Sequence, residues 1–148
     1  MDVILIVLAL LSVAGLALRV GWMKQGSRES LSGFAVCAVW KNVDNQTAEC
    51  LREGELLYTA AGEIFGRVLS LEAHPAVTET VWGGRVYRAE SPSRFDVELR
   101  LSVEGRFREE QLLWNGLEAV SVGQTKQLYS RMAEVKIAVT FFEKSPLL

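Results

Sequence analysis

One segment divides this chain before any other feature is weighed. Val3 to Leu18 reads VILIVLALLSVAGLAL, sixteen residues without a charge. Arg19 interrupts, and Val20, Gly21, Trp22 and Met23 carry the apolar run on. As a helix, the 21 residues from Val3 to Met23 reach roughly 32 Å at about 1.5 Å per residue, enough to span a bilayer's hydrocarbon core. Arg19 falls within a turn of the end, where its stem can carry the charge to the headgroups. Trp22 falls at the level of an interfacial aromatic. A cleaved signal peptide needs a basic leading region and small residues in A-x-A spacing. Only Met1 and Asp2 precede the run, and Ala14-Gly15-Leu16-Ala17 misses that spacing. A buried core helix of this length is out of scale with 148 residues. Residues 1–23 are therefore expected to be a retained single-pass anchor. Val3, Ile4, Leu5, Leu8, Leu11, Leu16 and Leu18 supply its apolar surface, and Arg19 and Trp22 its interface. Ala9, Ser12, Val13 and Ala17 share a small-residue face that another transmembrane helix could approach closely; facing lipid would suit them equally.

Charge gives a first vote on orientation. No Lys or Arg precedes the run, whereas Arg19, Lys24 and Arg28 follow it, which taken alone places the rest of the chain in the cytoplasm. Over the whole chain 16 basic residues meet 18 acidic ones, a net charge of −2. That excludes the basic footprint of a nucleic-acid binder.

Beyond a polar linker, 24–33, the chain shows short β runs and no long amphipathic helix. Phe34 to Val43 is apolar on both sides, as in a well-covered strand. Asp44 to Leu51 suits one short helical turn, with Asp44 or Asn45 as N-cap. Strands are expected near Leu56–Thr59 and Phe65–Leu71, with a turn at Ala61-Gly62 between them. Val77–Val81, Gly83-Gly84 and Arg85–Ala89 read as a tight hairpin, and Ser91-Pro92-Ser93 as a break. Phe95 to Val103 alternates strictly: Phe95, Val97, Leu99, Leu101 and Val103 face one way, Asp96, Glu98, Arg100 and Ser102 the other. Shorter pieces follow at Leu112–Trp114, Val120–Val122 and Gln124–Leu128. Val135, Ile137, Val139 and Phe141 share one face of the last strand. The expected fold is mainly β: an N-terminal transmembrane helix, then a small barrel or sandwich over 34–143 and a tail at 144–148.

Residues able to carry chemistry are sparse. One His and two Cys leave little from which to build a metal site. His74 precedes Pro75 in an expected loop and reads as a surface residue. Cys37 and Cys50 could pair in an oxidising compartment; in the cytoplasm they would be ordinary core thiols, the better fit to a mid-strand Cys37. Glu109-Glu110 reads as a solvated turn, and Asp96 and Glu98, flanked by Arg94 and Arg100, as a face of cross-strand ion pairs. No nucleophile elbow or phosphate loop is present in the sequence. No catalytic residue, metal ligand or cofactor is expected, and the chain reads as a non-enzyme.

Three stretches carry a family resemblance. Gly54–Leu71, Tyr87–Leu101 (YRAESPSRFDVELRL) and Val122–Glu143 (VGQTKQLYSRMAEVKIAVTFFE) resemble the bacterial domain-of-unknown-function family 4330. Its members are single-pass proteins with a small extracytoplasmic β domain, and the stretches span most of the chain beyond the linker. Leu51–Gly54 and Ile64–Val68 also resemble the start of the mammalian-cell-entry domain of bacterial lipid transporters, a likeness that fades after about Leu71. Leu112, Leu113 and Trp114 could supply that family's apolar pore tip, or equally a core. Both resemblances imply a β domain outside the cytoplasmic membrane, against the charge vote. The resulting expectation is an inner-membrane, single-pass accessory or scaffold subunit of an envelope complex, its β domain contacting other membrane-protein subunits or copies of itself. The alternative is a lipid-transport barrel assembled into a homo-oligomeric ring.

Overall fold

The computed structural model describes residues 31–147. The apolar run over 1–23, with Arg19, Trp22 and the small-residue face of Ala9, Ser12, Val13 and Ala17, lies outside the described residues, as does most of the linker. Among the described residues no helix is long and apolar enough to cross a membrane.

The described chain is mainly β. In order it forms β1 (Ser32–Asp44), α1 (Asn45–Glu49), β2 (Leu56–Tyr58), β3 (Ile64–Trp82), β4 (Arg85–Arg108), β5 (Gln111–Trp114), β6 (Glu118–Val120), β7 (Thr125–Tyr129) and β8 (Glu134–Leu147). Their pairing order is β1-β8-β7-β2-β3-β4-β5-β6, and β1 also pairs with β4. That extra pairing closes six strands into a ring, a barrel, from which β5 and β6 continue. Every pairing is antiparallel. The connections therefore alternate between the two ends. The segment containing α1, the β3–β4 hairpin and the β7–β8 turn lie at one end. Ser32, the β2–β3 turn and the β5–β6 hairpin lie at the other.

Period-two alternation fills the barrel. Phe34, Val36, Ala38 and Trp40 of β1, Val97, Leu99, Leu101 and Val103 of β4, and Val135, Ile137 and Val139 of β8 are all buried in one cluster. Side chains from opposite strands meet in that single cluster, so the interior is a packed core and not a bore. The short helix forms where β1 ends: Asp44 accepts from the Thr47 backbone N–H at 2.9 Å and from its hydroxyl at 2.7 Å.

The hairpin of β5 and β6 covers the far end. Leu112, Trp114 and Val120 are buried, and Trp114 meets Phe65 at 5.6 Å between ring centroids. The aromatic pattern continues in Phe107, which packs edge-on against Phe34 at 4.9 Å and Phe142 at 5.7 Å. This lid approaches closely at Gly105, where an added Cβ would stand 2.4 Å from the Leu113 carbonyl oxygen. Leu112 and Trp114, weighed in the sequence as a pore tip, are thus core residues, and Leu113 between them is half-buried.

Five details differ from the sequence reading. The last strand changes face at Thr140: Cys37 pairs with Phe141 but Ala38 with Val139, a bulge. Phe141 consequently points outward and Phe142 inward. That strand runs on to Leu147, through the residues expected as a tail, and β1 begins at Ser32, two residues before the expected Phe34. His74 and Pro75 lie within β3, opposite Asp96 and Phe95, not in a loop. Ser91–Ser93 does not end the strand: β4 continues, bulging between Glu90 and Phe95 while Ser91 Oγ accepts from the N–H groups of Ser93 and Arg94.

Candidate functional site

The most conspicuous surface is the part of β3 and β4 that leaves the barrel. β2 pairs with β3 only over Ile64–Arg67, and β1 pairs with β4 no further than Arg94. Beyond those points β3 and β4 have only each other, pairing from Val77↔Glu90 to Trp82↔Arg85. The result is a two-stranded arm with two unpaired backbone edges. Gly83 (φ 58°) and Gly84 (φ 76°) close it in a primed turn, whose left-handed angles side chains resist. Trp82 lies seven positions beyond Pro75, so the arm extends about 23 Å past its base at about 3.3 Å per residue.

Directly paired residues share a face. One face holds Val81/Val86 and the ion pair of Glu79 with Arg88, Oε1 to Nε at 2.6 Å. The other holds Thr78/Ala89, Thr80/Tyr87 and Trp82/Arg85, with Arg85 its single charge. Trp82 is 76% exposed, Val81 70%, Val86 61% and Tyr87 48%. An isolated two-stranded hairpin is marginal in water, and open strand edges invite pairing. Trp, Tyr and Arg are also the side chains that dominate binding energy at protein interfaces. The sequence identified this hairpin but not its exposure. The available signal was the absence of a continuous apolar stripe: Glu79 and Arg88 interrupt the valine face.

At the same end of the barrel lies a groove of about 830 Å³ between the α1 segment and the β7–β8 turn. Glu55 braces its walls, accepting from the backbone N–H of Arg52 at 3.2 Å and of Arg131 at 3.3 Å. Glu53, Arg52, Tyr58 and Met132 also line it, with Met132 74% exposed.

The thiols do not form a disulfide: Cys37 and Cys50 are both free and half-buried. Cys50 lines the groove, its Sγ 3.3 Å from the Gln46 carbonyl oxygen. Cys37 lies mid-β1 on the outer face of the barrel, opposite Arg100. Burial raises its pKa above the ordinary thiol value, with Glu143 adding to the effect. Arg100 reaches over β1 to Glu143 on β8, in a bidentate pair of 2.9 Å and 2.6 Å. Hydrogen bonds from Arg100 hold the Glu143 pKa below the ordinary carboxylate value and raise that of Arg100 itself. The expected ion-pair face therefore exists with different partners. Asp96 accepts from the backbone N–H of Asn42 at 2.9 Å, bracing the β1 bulge. Among the described residues no three His, Cys, Asp or Glu side chains stand together as a metal site.

Comparison with known proteins gives no neighbour: no family model, no curated protein and no solved structure matches the chain.

Proposed function

We propose that this chain is a non-enzymatic, single-pass accessory subunit of a bacterial envelope complex, its β domain making protein–protein contacts. The β3–β4 arm is the observation that carries this reading. A barrel of this size needs no ribbon about 23 Å long to complete its core, yet the arm holds Val81, Trp82, Val86 and Tyr87 in water. Such residues on a projecting element are the composition of an interaction surface. The anchor over 1–23 and the resemblance to family 4330 supply the membrane and envelope parts of the proposal. The packed interior and the burial of Leu112 and Trp114 weigh against the lipid-transport alternative, which draws on an apolar path and pore tip. The test is the native mass of the full-length protein, purified in mild detergent from its own host, with identification of what accompanies it. A larger particle that dissociates on Trp82→Ala is expected. A bare monomer under all gentle extraction conditions would refute the accessory-subunit reading, and a homomeric ring carrying phospholipid would favour transport.

A further inference from the structure

We propose that the arm's partner is a second copy of this chain, the tip of each arm seated in the other copy's groove. This inference rests on the protein-contact reading above and names the contact. The first ground is placement. Arm and groove lie at the same end of the barrel, because the α1 segment, the β3–β4 hairpin and the β7–β8 turn all connect strands there. Two barrels facing each other by that end can exchange arms about a twofold axis, giving an isologous contact that closes at two copies.

The second ground is chemical fit. Among the described residues Arg85 at the tip has no carboxylate partner and Glu53 in the groove has no cation. Exposed Met132 offers a thioether to Trp82, a favourable sulfur–aromatic contact. The Arg52 and Arg131 guanidiniums, also outside any ion pair among the described residues, can lie over the Trp82 and Tyr87 rings. The third ground is size. Trp82 and Tyr87 each offer about 150–250 Å² when fully covered. As 76% and 48% of these areas are exposed, two reciprocal insertions counted on both partners cover about 750–1,250 Å², up to the roughly 1,200 Å² at which stable interfaces begin, and Val81 and Val86 on the arm's opposite face add to this as the tip enters the groove.

Cys50 makes the proposal testable in the full-length protein, since it already lines the groove. A Thr80→Cys variant, in a Cys37→Ala background and mild detergent, is oxidised gently and run without reductant. Thr80 shares the face of Trp82 and Tyr87. The expected result is a covalent dimer that disappears when Cys50→Ser is added. Without the added cysteine, Trp82→Ala should raise the dimer's Kd about 30-fold or more, the effect of losing an interface hot spot. A monomer at every concentration overturns the proposal. So does a covalent dimer that survives Cys50→Ser, because the arms would then meet each other and not the groove. A complex with a different protein, lost on Trp82→Ala, overturns the second-copy partner but leaves the protein-contact reading standing. An assembly indifferent to Trp82→Ala sinks both.

Discussion

Replacing Gly105 by alanine tests how the barrel is closed. The new Cβ would stand 2.4 Å from the Leu113 carbonyl oxygen and 3.1 Å from Leu112 Cδ1. Ordinary contact begins near 3.4 Å, so β5 must retreat by about 1 Å. It cannot do so freely, because Gly105 is paired directly to Trp114 and Phe107 to Leu112. Both Leu112 and Trp114 are buried, and Trp114 packs on Phe65. Overpacking of this kind costs about 1–3 kcal/mol, and loosening the lid adds part of the value of two buried side chains. A total of about 3 kcal/mol corresponds, at roughly 4 °C per kcal/mol for a domain of this size, to a fall in Tm near 12 °C. Gly54→Ala is the control. Its φ is +83° with nothing within 4 Å of the new Cβ, so it bears only backbone strain, about 1–2 kcal/mol. Thermal unfolding of the full-length protein in one detergent, followed by circular dichroism, compares the two. If Gly105→Ala lowers Tm no more than Gly54→Ala, the close approach of β5 is wrong.

Two further outcomes follow from the same packing. Phe142→Ala should cost about 3–5 kcal/mol, as large-to-small changes in a core do, whereas Phe141→Ala, at a position 58% exposed, should change stability by less than about 1 kcal/mol; denaturant unfolding of the two variants would reverse that order if the Thr140 bulge were absent. Asp44 and Glu143 have folded pKa values below their ordinary 3.8 and 4.5, through hydrogen bonds from Thr47 and Arg100 respectively. The unfolded chain therefore binds more protons at low pH. The stability these groups confer is complete above the ordinary carboxylate range and is lost as pH falls below about 4. Asp44→Asn together with Glu143→Gln should flatten the melting-temperature profile over that interval; a profile of unchanged slope refutes these assignments.

The parts of this fold visible in the sequence are those governed by local rules. Phe95 to Val103 could be read because a half-buried strand imposes period two on its side chains. Asp44 could be read because an N-cap needs a short side-chain acceptor, and Gly83-Gly84 because a primed turn needs left-handed angles. The misreadings fall where distant pairing overrides local pattern. A single extra residue at Thr140 turns Phe141 outward, and only the register of β8 against β1 reveals it. His74-Pro75 has the look of a loop, yet Pro75 is accommodated in β3 because β2 does not extend far enough to pair there. Arg100 finds Glu143 two strands away, 43 positions along the chain, a separation that no spacing rule predicts. The arm's exposure was hidden for a related reason: a hairpin can be read from Gly83-Gly84, but whether Trp82 is covered depends on where the neighbouring strands stop.

That stopping point is where packing ceases to account for the strand. Over Arg67–Leu71 β3 turns Val68 into the core, with Leu71 packed against it. From Val77 to Trp82 the same strand buries no side chain and lacks a second neighbour. A strand selected only for stability would end where its packing ends, since ordering each further residue costs about 1–2 kcal/mol of backbone entropy. For the 14 residues from Val77 to Glu90 that cost exceeds what ladder hydrogen bonds and one exposed ion pair return, at about 0.5–1.5 kcal/mol for each bond and at most about 1 for the pair. Covering Val81, Trp82, Val86 and Tyr87 as proposed above would return about 25 cal/mol per Å² of apolar surface toward that cost. Removal of the arm should therefore leave the barrel's own melting behaviour nearly intact, and on the proposed contact with the groove lined by Glu53 and Met132 it should abolish assembly; a thermal scan and the native mass of the deletion variant check the two outcomes.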